Sequence, residues 1–292
     1  MKEYKTNEEL IDYLISKNVK VSNKRKALEK IEKYSYYTIV NSYKGVFKDG
    51  NNNYKPGVSF EEIFALYNFD KNIKFIFLKS ILEIEIHIKS LMADQIGRQY
   101  GIETYLDVSN LDDSVSDNVK EELIEKINKE IDKDYKVHSA ITHYKDKYGF
   151  IPPFILIKIL TFGVMSSYYG LFKQSDRQSI ARNYRISDKM LKMLLKNLTM
   201  IRNIAAHSDR LFCYRSKYNI SFKNIDKKYK RQDNFTNLYM MIKAMELLLN
   251  RKQYNSFYKA FEKELYILKN SLISIDIDDI LKIMGFPQNK NN

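Results

Sequence analysis

The sequence predicts an all-α protein, and three observations carry that prediction. Glycine and proline are scarce, at 9 and 4 of 292 residues, so few positions break a helix. Apolar residues recur every three or four positions over long stretches. Ser/Thr-x-x-Glu patterns, which satisfy the free N–H groups of a first helical turn, precede two of those stretches.

The elements follow in order. Thr6 with Glu9 forms a capping box ahead of "ELIDYLISKN", and Ser22 precedes the basic helix "NKRKALEKIEKYSYYTIVNSY". The run "KDGNNNYKPG" at 48–57 has turn formers and no hydrophobic period, which divides the chain into an N-terminal helical extension, 1–58, and a main helical unit, 59–292. Ser59 and Glu62 repeat the capping box, and Asp70 can cap a long helix running to Gly101. One face of that helix carries Ile73, Phe77, Ile84 and Ile88 and the opposite face Phe75, Leu78, Leu82 and Ile86, the pattern of a central helix buried on both sides. An acidic loop at 106–118 precedes the charged, solvent-facing helix "VKEELIEKINKEIDKDY". Pro152 and Pro153 open the apolar run at 150–172, whose prolines, Lys158 and Gly163 suit a buried helix better than a membrane span. Ser187 precedes a helix striped by Leu191, Leu194, Leu195, Leu198, Ile201 and Ala205. Helices over about 235–250 and 253–270 and a short tail complete the chain.

A net charge of +13 with 23 tyrosines and 16 phenylalanines suits a polyanion partner with bases to stack, although a Lys-, Asn- and Ile-rich chain without tryptophan also fits an AT-rich genome. The lone cysteine, Cys213, excludes an intramolecular disulfide and a Cys-based zinc cluster. The opening "MKEYKTNEEL" has no apolar core and predicts no signal peptide, so the expected location is cytoplasmic.

The stripe of 187–206 contains an arginine. With Leu191 at 0° and 100° per residue, Arg202 falls at about 20°, inside the apolar sector, while Asn203, His207 and Arg210 fall at about 120°, 160° and 100°. A buried guanidinium requires a carboxylate, a wet groove or a bound anion. Arg202 and His207 diverge by about 140° on a straight helix, so a second copy packed against the first would let both line one cleft. Imidazole both takes and gives a proton near neutrality, guanidinium matches phosphate oxygens, and RNA carries its own 2′-OH nucleophile, so such a cleft needs no metal. The bland alternative is an arginine paired with a buried carboxylate and an ordinary surface histidine.

"RNIAAH" resembles the RxxxxH signature of the HEPN superfamily of helical RNases. In order, "LYNFDKNIKFIFLKSILEIEIHIKS" at 66–90, "PPFILIKILTFGVMSSYYGLF" at 152–172, "RNIAAHSDRLF" at 202–212 and "MGFP" at 284–287 resemble the blocks of Abi-like proteins, the bacterial abortive-infection proteins of the AbiD and AbiF type, over about residues 10–287. The chain departs from them at Ala205, at Cys213 and in lacking tryptophans before "TFG" at 161–163 and after "GFP" at 285–287. The resemblance implies a HEPN-type bundle, a homodimer completing the site, cofactor-free RNA cleavage in phage defence or as a toxin, control by a small noncoding RNA, and kinship with the HEPN nucleases of type VI CRISPR systems. Arg202 would then bind the scissile phosphate, Asn203 hold the site and His207 move protons. Glu85, matching the family's carboxylate, would be the counter-ion of Arg202.

Further RNA contacts are expected from Arg210, for which a salt bridge on the helix surface is the alternative, from Arg215, Lys217, Lys227, Lys228, Lys230 and Arg231, interleaved with Tyr214, Tyr218, Phe222 and Tyr229, and from Lys24, Arg25 and Lys26; a solvated segment without RNA contacts is the alternative for both basic stretches. Glu83 and His87 stand at a metal-ligand spacing without further ligands in the sequence. The competing function is a noncatalytic RNA-binding or scaffold protein built on the same helix.

Overall fold

The computed structural model describes residues 4–207, 209–222 and 235–287. It is all-α, with one short antiparallel pair, β1 (Arg215–Ser216) and β2 (Thr236–Asn237). Helix α3 (Phe60–Tyr100) is the pillar, opened by the predicted Ser59–Glu62 capping box. It packs along α6 (Pro153–Ile159), α9 (Asp188–Ala206) and α11 (Arg251–Ser271). Helices α7 (Phe162–Leu171) and α8 (Gln174–Arg182) pack against α9, and α4 (Asp117–Asp134) covers α7.

The N-terminal part forms α1 (Asn7–Ser16) and α2 (Lys24–Tyr34). Asn23, not Ser22, caps α2, accepting from the Lys26 N–H. Helix α2 stops at Ser35, whose φ of 64° breaks the helical path, so the expected continuation is instead a π-turn at Tyr37–Asn41 and a 3-10 turn at Lys44–Phe47. Residues 48–57 are the predicted loop, with a bridge between Lys48 and Tyr54.

Other expectations change as well. Asp70 caps nothing: α3 has no interruption there, and Asp70 is buried at 0% exposure in its first half. The opposite face of α3 is open, with Phe75, Leu82 and Ile86 at 63%, 48% and 69% exposure, because neighbouring helices cover the other faces only. The apolar run after Pro152 is two helices, because the Thr161 side chain accepts from the Val164 N–H and caps α7, breaking the chain after Leu160. Helix α5 (Ser139–Tyr148) and α8 were not legible as elements. Helix α4 faces solvent only in part, since Leu123, Ile127 and Ile131 pack into the core. The last helices are α10 (Leu238–Leu248), α11 and α12 (Ile277–Met284). Glu62 ties α3 to the chain after α11 by accepting from the Ile273 and Ser274 N–H groups.

Among the described residues, no helix is long and apolar enough to cross a membrane.

Candidate functional site at the end of helix α9

Helix α9 starts where Ser187 accepts from the Met190 N–H. Leu191, Leu194, Leu195, Leu198 and Ile201 are all buried, as their spacing requires. From Arg202 to His207 no residue is fully buried, so the last turn and a half lies at the edge of the core, with Ile204 packed against it. Arg202 therefore lies in the angular sector of the stripe yet in solvent, and its guanidinium needs no buried counter-ion. It forms no ion pair or hydrogen bond among the described residues.

His207 is the C-cap of α9, with extended backbone at φ −114° and ψ 177°. Its N–H donates to the Asn203 and Ile204 carbonyls, at 3.1 and 3.3 Å. Because the helix ends at Ala206, the wheel position expected for Arg210 does not apply. The chain leaves the helical path at His207, and its side chain is exposed. Arg202, Asn203 and His207 are all exposed at one helix end.

What holds that end is a buried acid. The Asp70 carboxylate accepts from the Leu211 N–H at 3.0 Å and the Phe212 N–H at 2.6 Å. The Tyr43 hydroxyl donates to its other oxygen at 2.7 Å, and the Tyr43 ring stacks on Phe212. The Lys74 ammonium stands 3.5 Å away. Burial pushes the Asp70 carboxyl above the usual carboxylate range, while Lys74 and the hydrogen-bond donors pull it down. Burial and the adjacent Asp70 also raise the Tyr43 phenol well above its ordinary value.

A second clamp is Asn197, fully buried on α9. Its amide N–H donates to the Tyr218 carbonyl at 2.8 Å, and its oxygen accepts from the Tyr214 hydroxyl at 2.8 Å. The chain leaving the motif is thereby fixed to α3 at 211–212 and to α9 at 214–218. Asp70 sits on the stripe Ile63, Leu66, Ile73 and Phe77, all buried, so a charged residue inside an apolar period was visible in the sequence.

The other expectations divide. Glu85 does not pair with Arg202; it pairs with Lys89 at 2.7 Å, i to i+4 on α3, where Lys89 also donates to the Lys158 carbonyl. Glu83 accepts from Gln253 and His87 meets the Tyr184 hydroxyl at 2.8 Å, and among the described residues no acid, His or Cys cluster is arranged for a metal. Arg210 is exposed but off the helix, donating to the Ser42 carbonyl at 2.6 Å. Arg215 and Lys217 are exposed on and beside β1. Tyr214 is core rather than a stacking platform, and Tyr218 lies 5.0 Å under the Lys196 ammonium. Lys24, Arg25 and Lys26 are exposed on α2, with Lys24 paired to Asp12 and Arg25 to Glu29. Lys227, Lys228, Tyr229, Lys230 and Arg231 lie outside the described residues.

The sequence model of the Abi-like protein family matches residues 29–213, over half of the chain. The chain belongs to the Abi-like protein family. The match spans α3, α6, α7 and α9 and ends at Cys213, just past the two N–H groups that Asp70 holds. It is shorter than the expected 10–287, leaving out α1, α10 to α12 and the "MGFP" block. No curated protein and no solved structure matches this Abi-like protein.

Proposed function

We propose that this Abi-like protein is an abortive-infection ribonuclease of the HEPN type, a homodimer that cuts RNA without a metal under the control of a small noncoding RNA. The observation that carries the reading is the exposed end of α9, where Arg202, Asn203 and His207 stand free of ion pairs among the described residues while the buried Asp70 and Asn197 fix the chain behind them. Surface residues with no structural duty, on a rigidly held helix end, suit a site for an external phosphate. The family assignment points to phage defence.

In this reading Arg202 grips the scissile phosphate, and its charge stabilises the oxygens as negative charge develops on them. The 2′-OH of the preceding ribose attacks phosphorus as His207 of one copy takes its proton. An imidazolium from the facing copy gives a proton to the departing 5′ oxygen, leaving a 2′,3′-cyclic phosphate and a 5′-hydroxyl end. Asn203 holds the site, its carbonyl already accepting from the His207 N–H.

The test is purified protein with RNA in EDTA. Cleavage by the wild type that is lost in both Arg202→Ala and His207→Ala supports the enzyme. RNA bound tightly but left intact by the wild type overturns it in favour of a scaffold.

A further inference from the structure

An opening of about 260 Å³ lies between α4, α7 and α9. It is lined by Lys126 of α4, Lys192 and Lys196 of α9, and Ser166, Ser167 and Gly170 of α7, with Glu122 as its single carboxylate. None of the three lysines is in an ion pair among the described residues. The Lys192 ammonium donates to the Gly170 carbonyl at 3.1 Å, and Gly170 leaves room for its stem: a Cβ there would stand 3.1 Å from the Lys192 Cε. The Lys196 ammonium sits 5.0 Å from the Tyr218 ring. Ser166 is only 5% exposed, and its hydroxyl makes no hydrogen bond among the described residues.

These features select a ligand chemistry. Three ammonium groups against one carboxylate leave the opening net positive. Its volume is below the ~300 Å³ at which pockets begin to enclose a small organic ligand, but it accommodates one phosphodiester group. The unengaged Ser166 hydroxyl supplies a donor for a phosphate oxygen. Burial and the Arg177 and Lys196 charges lower the Lys192 ammonium, against the opposing pull of Asp112 and Asp188.

Position connects the opening to the motif. At 100° per residue, Lys192, Lys196 and Asn203 fall within about 40° of one another on α9, and Lys196 precedes Asn203 by about 10 Å along the axis. We propose that the opening lined by Lys126, Lys192 and Lys196 is a backbone-phosphate subsite, holding the RNA strand beside the exposed end of α9, on the face that carries Asn203. This inference rests on the reading of the chain as an RNA enzyme and names where its substrate strand runs.

The test uses the full chain carrying His207→Ala, so that RNA stays intact, with and without Lys192→Gln/Lys196→Gln. Affinity for a short labelled single-stranded RNA is measured by anisotropy over a series of KCl concentrations. Two lost phosphate contacts should weaken binding about tenfold and reduce the slope of log K against log salt by about 1.4. Lys126→Gln, an exposed change on a different helix, should reduce it by about 0.7 if the double variant fails to fold. Unchanged affinity and slope overturn the subsite, and cleavage by the otherwise native chain in EDTA scores the nuclease reading separately. A reduced slope without any cleavage keeps the subsite on a noncatalytic RNA binder. A wild type that binds no RNA overturns both.

Discussion

The Asp70 carboxylate, inside the first half of the longest helix, accepts the Phe212 N–H at 2.6 Å across 142 positions of sequence, five residues after His207. The Leu211 N–H and Tyr43 hydroxyl converge on the same carboxylate. One side chain thus joins the N-terminal segment, the central helix and the chain that leaves the motif. Loss of such an acceptor leaves two buried N–H groups without a partner, a larger penalty than the net worth of the bonds.

Asp70→Ala is accordingly expected to destabilise the protein by about 3 kcal/mol. Asp70→Asn, which keeps one acceptor oxygen, should cost less. Urea unfolding of the two variants checks the order, and RNA cleavage should fall in both because residues 207–212 lose their anchor. Equal stability of Asp70→Ala and wild type would remove Asp70 from this role.

Arg202→Ala and His207→Ala should leave stability within about 0.5 kcal/mol, since both side chains are exposed on the projecting turn. Each should reduce cleavage by roughly 10²-fold or more. Melting curves beside a gel-based cleavage assay separate the two effects, and a large loss of stability in either variant would mean that these residues are structural.

Glu85→Gln is expected to leave cleavage within about twofold, because the carboxylate is engaged by Lys89 and not by Arg202. Loss of activity in this variant would show that Glu85 reaches the site in the assembled dimer.

Acid stability should report the Arg177 cluster. Arg177 donates to Asp112 at 2.7 Å and to Asp188 at 3.4 Å, tying the first turn of α9 to the chain before α4. The Arg177 guanidinium holds the Asp112 carboxyl at about 2, below its ordinary 3.8. A carboxyl lowered in the folded state adds stability that is complete above pH 3.8 and is lost as pH falls toward 2. After allowance for screening this is about 1 kcal/mol, and Asp112→Asn should abolish it. Asp70 acts with the opposite sign: its carboxyl is raised, so its contribution to stability falls as pH climbs above the ordinary carboxylate range. Melting temperature against pH for wild type, Asp112→Asn and Asp70→Asn checks both signs.

Much of the architecture is legible one residue type at a time. The capping boxes at Thr6 and Ser59 form as their spacing requires, and the Leu191–Ile201 stripe is buried throughout. Such features are local: a helix period or an N-cap depends on residues within four positions. The family resemblance likewise lies in short ordered blocks, three of which fall within the matched 29–213.

Burial of a charge is not local, and there the sequence reading and the structure part. Arg202 and Asp70 each fall inside an apolar period. Only the packing of other helices decides that Asp70 is enclosed while Arg202 projects past the core. Helix ends follow the same rule, since the chain beyond the end of α9 at Ala206 is fixed by contacts 141 residues apart in sequence. By itself the sequence determined the caps and apolar periods of α1, α3 and α9 and the residue types they carry. The tertiary structure decided which charges meet water, because desolvation depends on every neighbour in space, and a one-dimensional period reports only those along the same helix.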